Sequence, residues 1–232
     1  MTTAPAAAGP TGAPAAWTVR RALGDAASLH RRPVPDPAGR LVWIFEALGP
    51  ALVLGSAQHD DVVDLAAARA DGVALVRRHS GGGAVMVVPG ETVWIDVVVP
   101  AGDPLWDDDV ARAAHWLGET WQAALAELGL DRPEVHRGAL RCGVLGRLIC
   151  FGAVGAGEVT VADGRKVVGI SQRRTRGAAR FQCALYRRWD PAPLVRLLRL
   201  DAAGAAALAG AAVGTGHDAA TVVDTFLRHL PA

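Results

Sequence analysis

Asp163-Gly164-Arg165-Lys166-Val167-Val168-Gly169-Ile170-Ser171-Gln172-Arg173-Arg174 decides how this chain is read. Asp163-Gly164 is a strong hairpin signal, because both residue types tolerate the backbone angles that a tight two-residue turn demands. A strand then opens at Lys166 and sets residues 166, 168, 170 and 172 on one face. Gly169 leaves room for a second chain or a ligand to come close. Lys166 is the only lysine in the chain; every other one of the 24 basic residues is arginine. A compact ammonium on a flexible stem does what a planar guanidinium does not. Either this position needs that ammonium, or an ordinary lysine stands beside a turn.

Outward from this hairpin the pattern is mixed. Residues 18–30 suggest a first helix. The apolar runs 41–47 and 51–55, split by Gly49-Pro50, suggest two strands paired across a turn. Residues 60–69 suggest a short helix, 73–77 a strand, and the β-branched run 92–99 a well-covered central strand. Val110, Ala114, Leu117, Trp121, Leu125 and Leu128 recur at spacings of three and four, so 107–128 reads as a helix begun by three aspartates. Strands return at 147–151, 158–161, 166–173 and 180–186. Helices follow at 191–199 and 217–230, with 202–213 as helix or linker. No regular βαβ alternation appears. The expected class is α+β, a mixed and largely antiparallel sheet with packed helices.

The chain's 232 residues suffice to hide roughly 70% of the unfolded surface. Residues 1–16, all small or turn-forming apart from Met1, read as a floppy leader, leaving 17–232 as the folded unit. With 51% hydrophobic and 20% charged residues, wholesale disorder is excluded. The net charge of +1 gives no support to nucleic-acid or membrane binding. Nothing resembles a secretory signal or an 18-residue apolar span, so the cytoplasm is the expected compartment. Three cysteines without a C-x-x-C pair and histidines without ligand spacing point to no metal site.

Arg77-Arg78-His79-Ser80-Gly81-Gly82-Gly83-Ala84-Val85 is the second informative stretch. Three consecutive glycines cost backbone entropy but let main-chain N–H groups approach a ligand that a Cβ would keep away. Beside arginines they make an anion site for a phosphate or carboxylate, or else a flexible hairpin loop with solvated arginines. Neither a Walker loop nor a dinucleotide fingerprint is present.

Together, R-R-x-S-G-G-G-A-V and, about 80 residues later, G-R-K-V-x-G-x-S-Q-R resemble the lipoate-protein ligase family of the biotin/lipoate ligase superfamily. Gly55-Ser56-Ala57-Gln58 resembles that family's G-x-x-Q segment. The resemblance covers residues 17–188 and implies a core related to class II synthetases. It also implies a ligase that joins lipoate or octanoate to AMP, using ATP and Mg²⁺, and passes the acyl group to a lysine of a lipoyl acceptor domain. Such domains belong to 2-oxo acid dehydrogenases or the glycine cleavage H protein. By the same resemblance Lys166 is the catalytic lysine. Arg77, Arg78, Ser80, Gly81, Gly82, Gly83, Ala84, Gly169 and Ser171 line the adenylate and acyl site.

The chain departs from the ligase pattern. Met86-Val87 and Gly90-Glu91 replace an aromatic-histidine and a Gly-Asn pair, Gln182-Cys183 replaces His-Gly, and 232 residues leave no room for an accessory domain. A second reading gains from this. Cys150-Phe151, followed by Glu158, resembles the cysteine segment of octanoyltransferases. Those enzymes hold the acyl group as a cysteine thioester and use no ATP. Cys150 is thus either a nucleophile or a buried apolar cysteine. A third reading is a non-catalytic lipoate binder. Cys142 and Cys183 are expected to be structural, and Trp94 and Trp106 to be core or acyl-chain wall. His79 is a possible ligand contact. Arg173-Arg174-Thr175-Arg176 either steers an acidic acceptor domain or is a solvated turn.

Overall fold

The structure is a computed structural model and describes residues 16–232; apart from Ala16, the expected leader lies outside the described residues. The chain opens with strand β1 (Thr18–Gly24) and helix α1 (Ala26–Arg31), then β2 (Leu41–Ala47) and β3 (Ala51–Leu54). Next come α2 (Leu65–Ala70), β4 (Ala74–Arg77), β5 (Val85–Val87), β6 (Thr92–Pro100) and α3 (His115–Glu127). Short strands β7 (Glu134–Val135), β8 (Arg141–Cys142), β9 (Ala153–Val154) and β10 (Val159–Thr160) lead to the hairpin β11 (Lys166–Arg174) and β12 (Ala178–Tyr186). Helices α4 (Ala192–Leu197), α5 (Ala202–Ala209) and α6 (Ala219–Arg228) follow.

The fold is α+β. Seven strands pair in the order β1-β2-β6-β12-β11-β10-β7, and a smaller sheet in the order β4-β3-β5. Among the described residues, the β1–β2 and β3–β4 ladders are parallel and the other ladders are antiparallel.

The period-two rule sorts β6 and β12 cleanly between two cores. Val93, Ile95, Val97 and Val99 of β6, with Phe181, Cys183 and Leu185 of β12, pack against α3 and α6. There Trp121 and Phe226 stack at 4.1 Å between ring centres. The opposite face presents Trp43, Phe45, Trp94 and Val98 to α1 and the small sheet. Burying each large side chain contributes about 2 to 3 kcal/mol. A third core binds the small sheet to α2, α4 and α5. The reactive groups lie between the two sheets.

Four sequence expectations need correction. Residues 18–30 are not one helix: Thr18–Gly24 is an edge strand, held by a seven-residue parallel ladder to β2 despite its helix-favouring Arg, Ala and Leu. Residues 41–47 and 51–54 do not pair with each other but enter different sheets. Residues 107–114 form turns, because Asp107 and Asp109 accept the N–H groups of Asp109 and Ala111 and so compete with helix bonding. Residues 147–151 are not a strand; Cys150–Gly152 is a single 3₁₀ turn, tied to the glycine loop by an Ala84–Ile149 bridge.

Candidate active site

The glycine bend folds around its own arginine. The Arg78 guanidinium donates to the carbonyls of Gly81 (2.7 Å) and Gly83 (2.9 Å) and, from below, to Val53 (3.3 Å). Gly82 turns the chain at φ +94°, where L side chains are strained. Gly83 is needed for contact: a Cβ there would lie 2.5 Å from the Ile149 carbonyl carbon and 2.7 Å from the Cys150 nitrogen. The next residue completes the weld, with the Ala84 N–H donating to Leu148 O (2.8 Å) and the Cys150 N–H to Ala84 O (3.0 Å). Gln58 braces the same junction. Its Oε1 accepts the Gly55 N–H and its Nε2 donates to Leu148 O, both at 2.9 Å. Sequence-distant segments thus fix the height of Cys150 above the sheet.

Lys166 comes from the other side. It is 1% exposed, and its Nζ donates to the carbonyls of Cys150 and Ala153, each at 3.0 Å. The Glu158 carboxylate lies 2.7 Å away and the Cys150 sulfur 3.6 Å away. Burial alone would push the ammonium down. Cys150 and Glu158 outweigh that and hold it above the usual lysine value. Glu158 is itself fixed, because Oε2 accepts the Gly155 N–H (2.7 Å) and Oε1 the Ile170 N–H (2.9 Å). The sequence placed Glu158 only as a companion of Cys150. Nothing in the sequence marks its pairing with Lys166, which only the fold brings about.

Two cavities meet here. One is a narrow apolar slot of about 40 Å³ between the sheets, walled by Val53, Val85, Val87, Trp94, Gly169 and Ala184. The other is a chamber of about 230 Å³ lined by Ser80, Gly81, Gly82, Gly83, Glu158 and Lys166. Arg78, Cys150 and Ser171 line both, so the sulfur stands at the junction. The Ser80 and Ser171 hydroxyls are 3.1 Å apart and tie the glycine bend to β11. At the slot's wall, Gln182 hydrogen-bonds His30 (3.0 Å) and the buried Asp96 (3.3 Å). Burial, with help from Arg78 and Arg180, lowers His30 to about 3.

Two expected site residues stand elsewhere. Arg77 turns outward to Asp60 and the Gln58 carbonyl, because β4 alternates and Arg78 takes the inward position. Ala84 is buried in the bridge to Ile149 and lines neither cavity. Cys183 is buried in the core, whereas Cys142 is exposed on β8. Trp94 is buried and also walls the slot. Trp106 instead carries Arg174 on its ring, 4.1 Å from the centroid.

An anchored ammonium beside a thiol, at the mouth of an apolar slot, suits chemistry on an acyl carbonyl. Residues 26–218 match the model of the lipoyl protein ligase A/B catalytic domain, and the chain belongs to that family. A stretch of 155 residues, 65% of the chain, is 32% identical to octanoyltransferase LipM of Kyrpidia tusciae. It spans 55% of that protein, about half its length. The fold is shared with a bi-partite lipoate protein ligase of Thermoplasma acidophilum, described with its E2 lipoyl domain (TM-score 0.69, 18% identity, 93% of this chain and 82% of that one). It is also shared with a lipoate-protein ligase A bound with ATP (TM-score 0.67, 19% identity, 94% and 84%).

Proposed function

We propose that this protein is an octanoyl or lipoyl transferase that carries the acyl group on Cys150 and delivers it to a lysine of a lipoyl acceptor domain. The observation that carries this reading is the position of the Cys150 sulfur, at the junction of slot and chamber, 3.6 Å from Lys166 Nζ. The similarity to an octanoyltransferase supports it.

In the first step the Cys150 thiolate attacks the carbonyl of a carrier-bound acyl thioester. The carrier's sulfur leaves with the electron pair and takes a proton, and an S-acyl Cys150 remains. The chain of the acyl group enters the apolar slot, which at about 40 Å³ must widen to admit it. In the second step the acceptor's neutral amine attacks that carbonyl. The C–S bond breaks, the amine gives up a proton, and the Cys150 thiol is restored. Each attack places negative charge on the carbonyl oxygen, and a pre-positioned cation stabilises it without reorganisation. Lys166 is that cation, and Glu158 keeps it aimed.

The ligase reading asks the same chamber to hold a triphosphate with Mg²⁺. The groups for it fit poorly. Arg78 is spent on the glycine carbonyls, and Arg77 lies outside, paired with Asp60. The test is incubation with octanoyl carrier protein, or with octanoate with and without ATP, read by intact mass of enzyme and acceptor domain. The transferase reading expects an ATP-independent octanoyl adduct that disappears in Cys150→Ser. Full acceptor modification by Cys150→Ser ends it, and modification that requires ATP restores the ligase.

A further inference from the structure

We infer that the arginine-lined groove at the end of the acyl slot is the docking surface for an acidic acyl-donor carrier protein; the inference rests on the transferase reading above. Slot and groove follow one another along one face of the β11–β12 hairpin. On β11, Gly169 and Ser171 line the slot and Arg173 lines the groove. Residues two apart share a face and sit roughly 7 Å from each other. The partner strand repeats the order, with Ala184 and Gln182 in the slot and Arg180 and Ala178 in the groove. Arg180 pins the end of α1, donating to the carbonyls of Leu29, His30 and Arg32. His30 therefore faces the slot, while Arg31 and Arg32 line the groove.

The groove is about 710 Å³ and its charge is one-sided. Arg31, Arg32, Arg173 and Arg176 are all exposed, and His79 joins them. Among the described residues, none of these four arginines has a carboxylate within 4 Å. Asp36 is the one acid in the lining. In a chain of net charge +1, four unpaired guanidinium groups around one concavity are a local excess, and such a field steers an anionic partner.

Reach selects the donor over the acceptor. A lysine side chain extends roughly 6 Å, so an acceptor domain must press against the rim of the chamber itself. The groove shares no lining residue with slot or chamber, and neither Cys150 nor Lys166 borders it. A partner seated there needs a long arm, and a carrier that presents its acyl group on a phosphate-bearing thiol arm has one. The arm's phosphate adds to the charge the arginines receive.

The experiment compares wild type with the double variant Arg173→Glu/Arg176→Glu on two donors, octanoyl carrier protein and the small neutral thioester octanoyl-N-acetylcysteamine. The expected result is a rise of roughly tenfold or more in KM for the carrier-borne donor, with kcat/KM on the neutral thioester unchanged. The wild-type preference for the carrier should also shrink as salt rises. An unchanged KM for the carrier overturns the inference, as does an equal loss on both donors. A defect confined to transfer from pre-acylated enzyme to the acceptor domain also overturns it and assigns the groove to the acceptor. If wild type forms no acyl-enzyme from either donor, the Cys150 reading fails separately. Carrier binding, read by fluorescence anisotropy, then decides the groove: binding lost in the double variant upholds it, and equal binding overturns it.

Discussion

Replacing Glu158 by glutamine removes one charge and almost no volume. Lys166 Nζ would keep its two carbonyl partners at 3.0 Å and lose a carboxylate oxygen at 2.7 Å. The two side chains are 1% and 7% exposed, so water cannot replace what is lost. Stripping one partner from a buried ion pair costs about 3 to 5 kcal/mol. The surviving carbonyls put Glu158→Gln at the lower end, about 3 kcal/mol. With a urea m value of about 3 kcal/mol/M, the unfolding midpoint falls by about 1 M. Lys166→Met should cost a similar amount, since it strands the carboxylate. The double variant removes both charges and should cost less than the two single losses together, by about 3 kcal/mol. Urea titration followed by the fluorescence of the seven tryptophans measures all three. An unmoved midpoint in Glu158→Gln, or losses that simply add in the double variant, would refute the coupling described for this pair.

Gly83→Ala should abolish acyl-enzyme formation, because its Cβ meets the Ile149 and Cys150 backbone at 2.5 to 2.7 Å; intact mass after donor addition reads this. Gly81→Ala, where a Cβ meets nothing within 4 Å, should react like wild type and serves as its control. His30, held near 3 by burial and two arginines, stays neutral in the fold while the unfolded chain takes a proton near 6.5. Its contribution is therefore present above pH 6.5 and lost as pH falls toward 3, by about 1.4 kcal/mol per pH unit. His30→Gln should flatten the fall in thermal midpoint between pH 7 and pH 4.5, and an unchanged slope would exclude His30 as the source. Asp96→Asn should destabilise the chain by about 3 kcal/mol, since it leaves the buried Arg180 without its carboxylate at 2.5 Å; thermal unfolding reads the loss.

The strands that carry the site were legible where two constraints agreed. In 166–174 the Asp163-Gly164 turn and the β-branched run name the same hairpin, and the observed strand begins at Lys166 itself. Residues 92–99 read as a covered central strand because both faces of β6 are apolar. Elsewhere a long-range partner decided. β1 shows mostly exposed residues, so its side chains record nothing of the ladder that makes it a strand. The triple aspartate at 107–109 suits a helix start, but its carboxylates close local turns instead, and the helix waits until His115. In the site, the glycine bend and the lone lysine were visible as oddities of sequence. That Arg78 would be consumed inside the loop and Arg77 turned away was not, because strand phase alone separates two adjacent arginines. The companionship of Lys166, Glu158 and Cys150 depends on a 3₁₀ turn that a four-residue apolar run does not announce.

The main chain of Lys166 has a second neighbour. Its N–H donates to Ala211 O at 2.9 Å, and its carbonyl receives the Val213 N–H at 3.0 Å, so the segment after α5 forms a brace behind the reactive side chain. No residue of that segment borders the slot or the chamber. A protease nick at 210–213 would spare every group that touches substrate and still loosen the backbone from which the ammonium is suspended. Damage there should register as sluggish turnover in a molecule that keeps its helices.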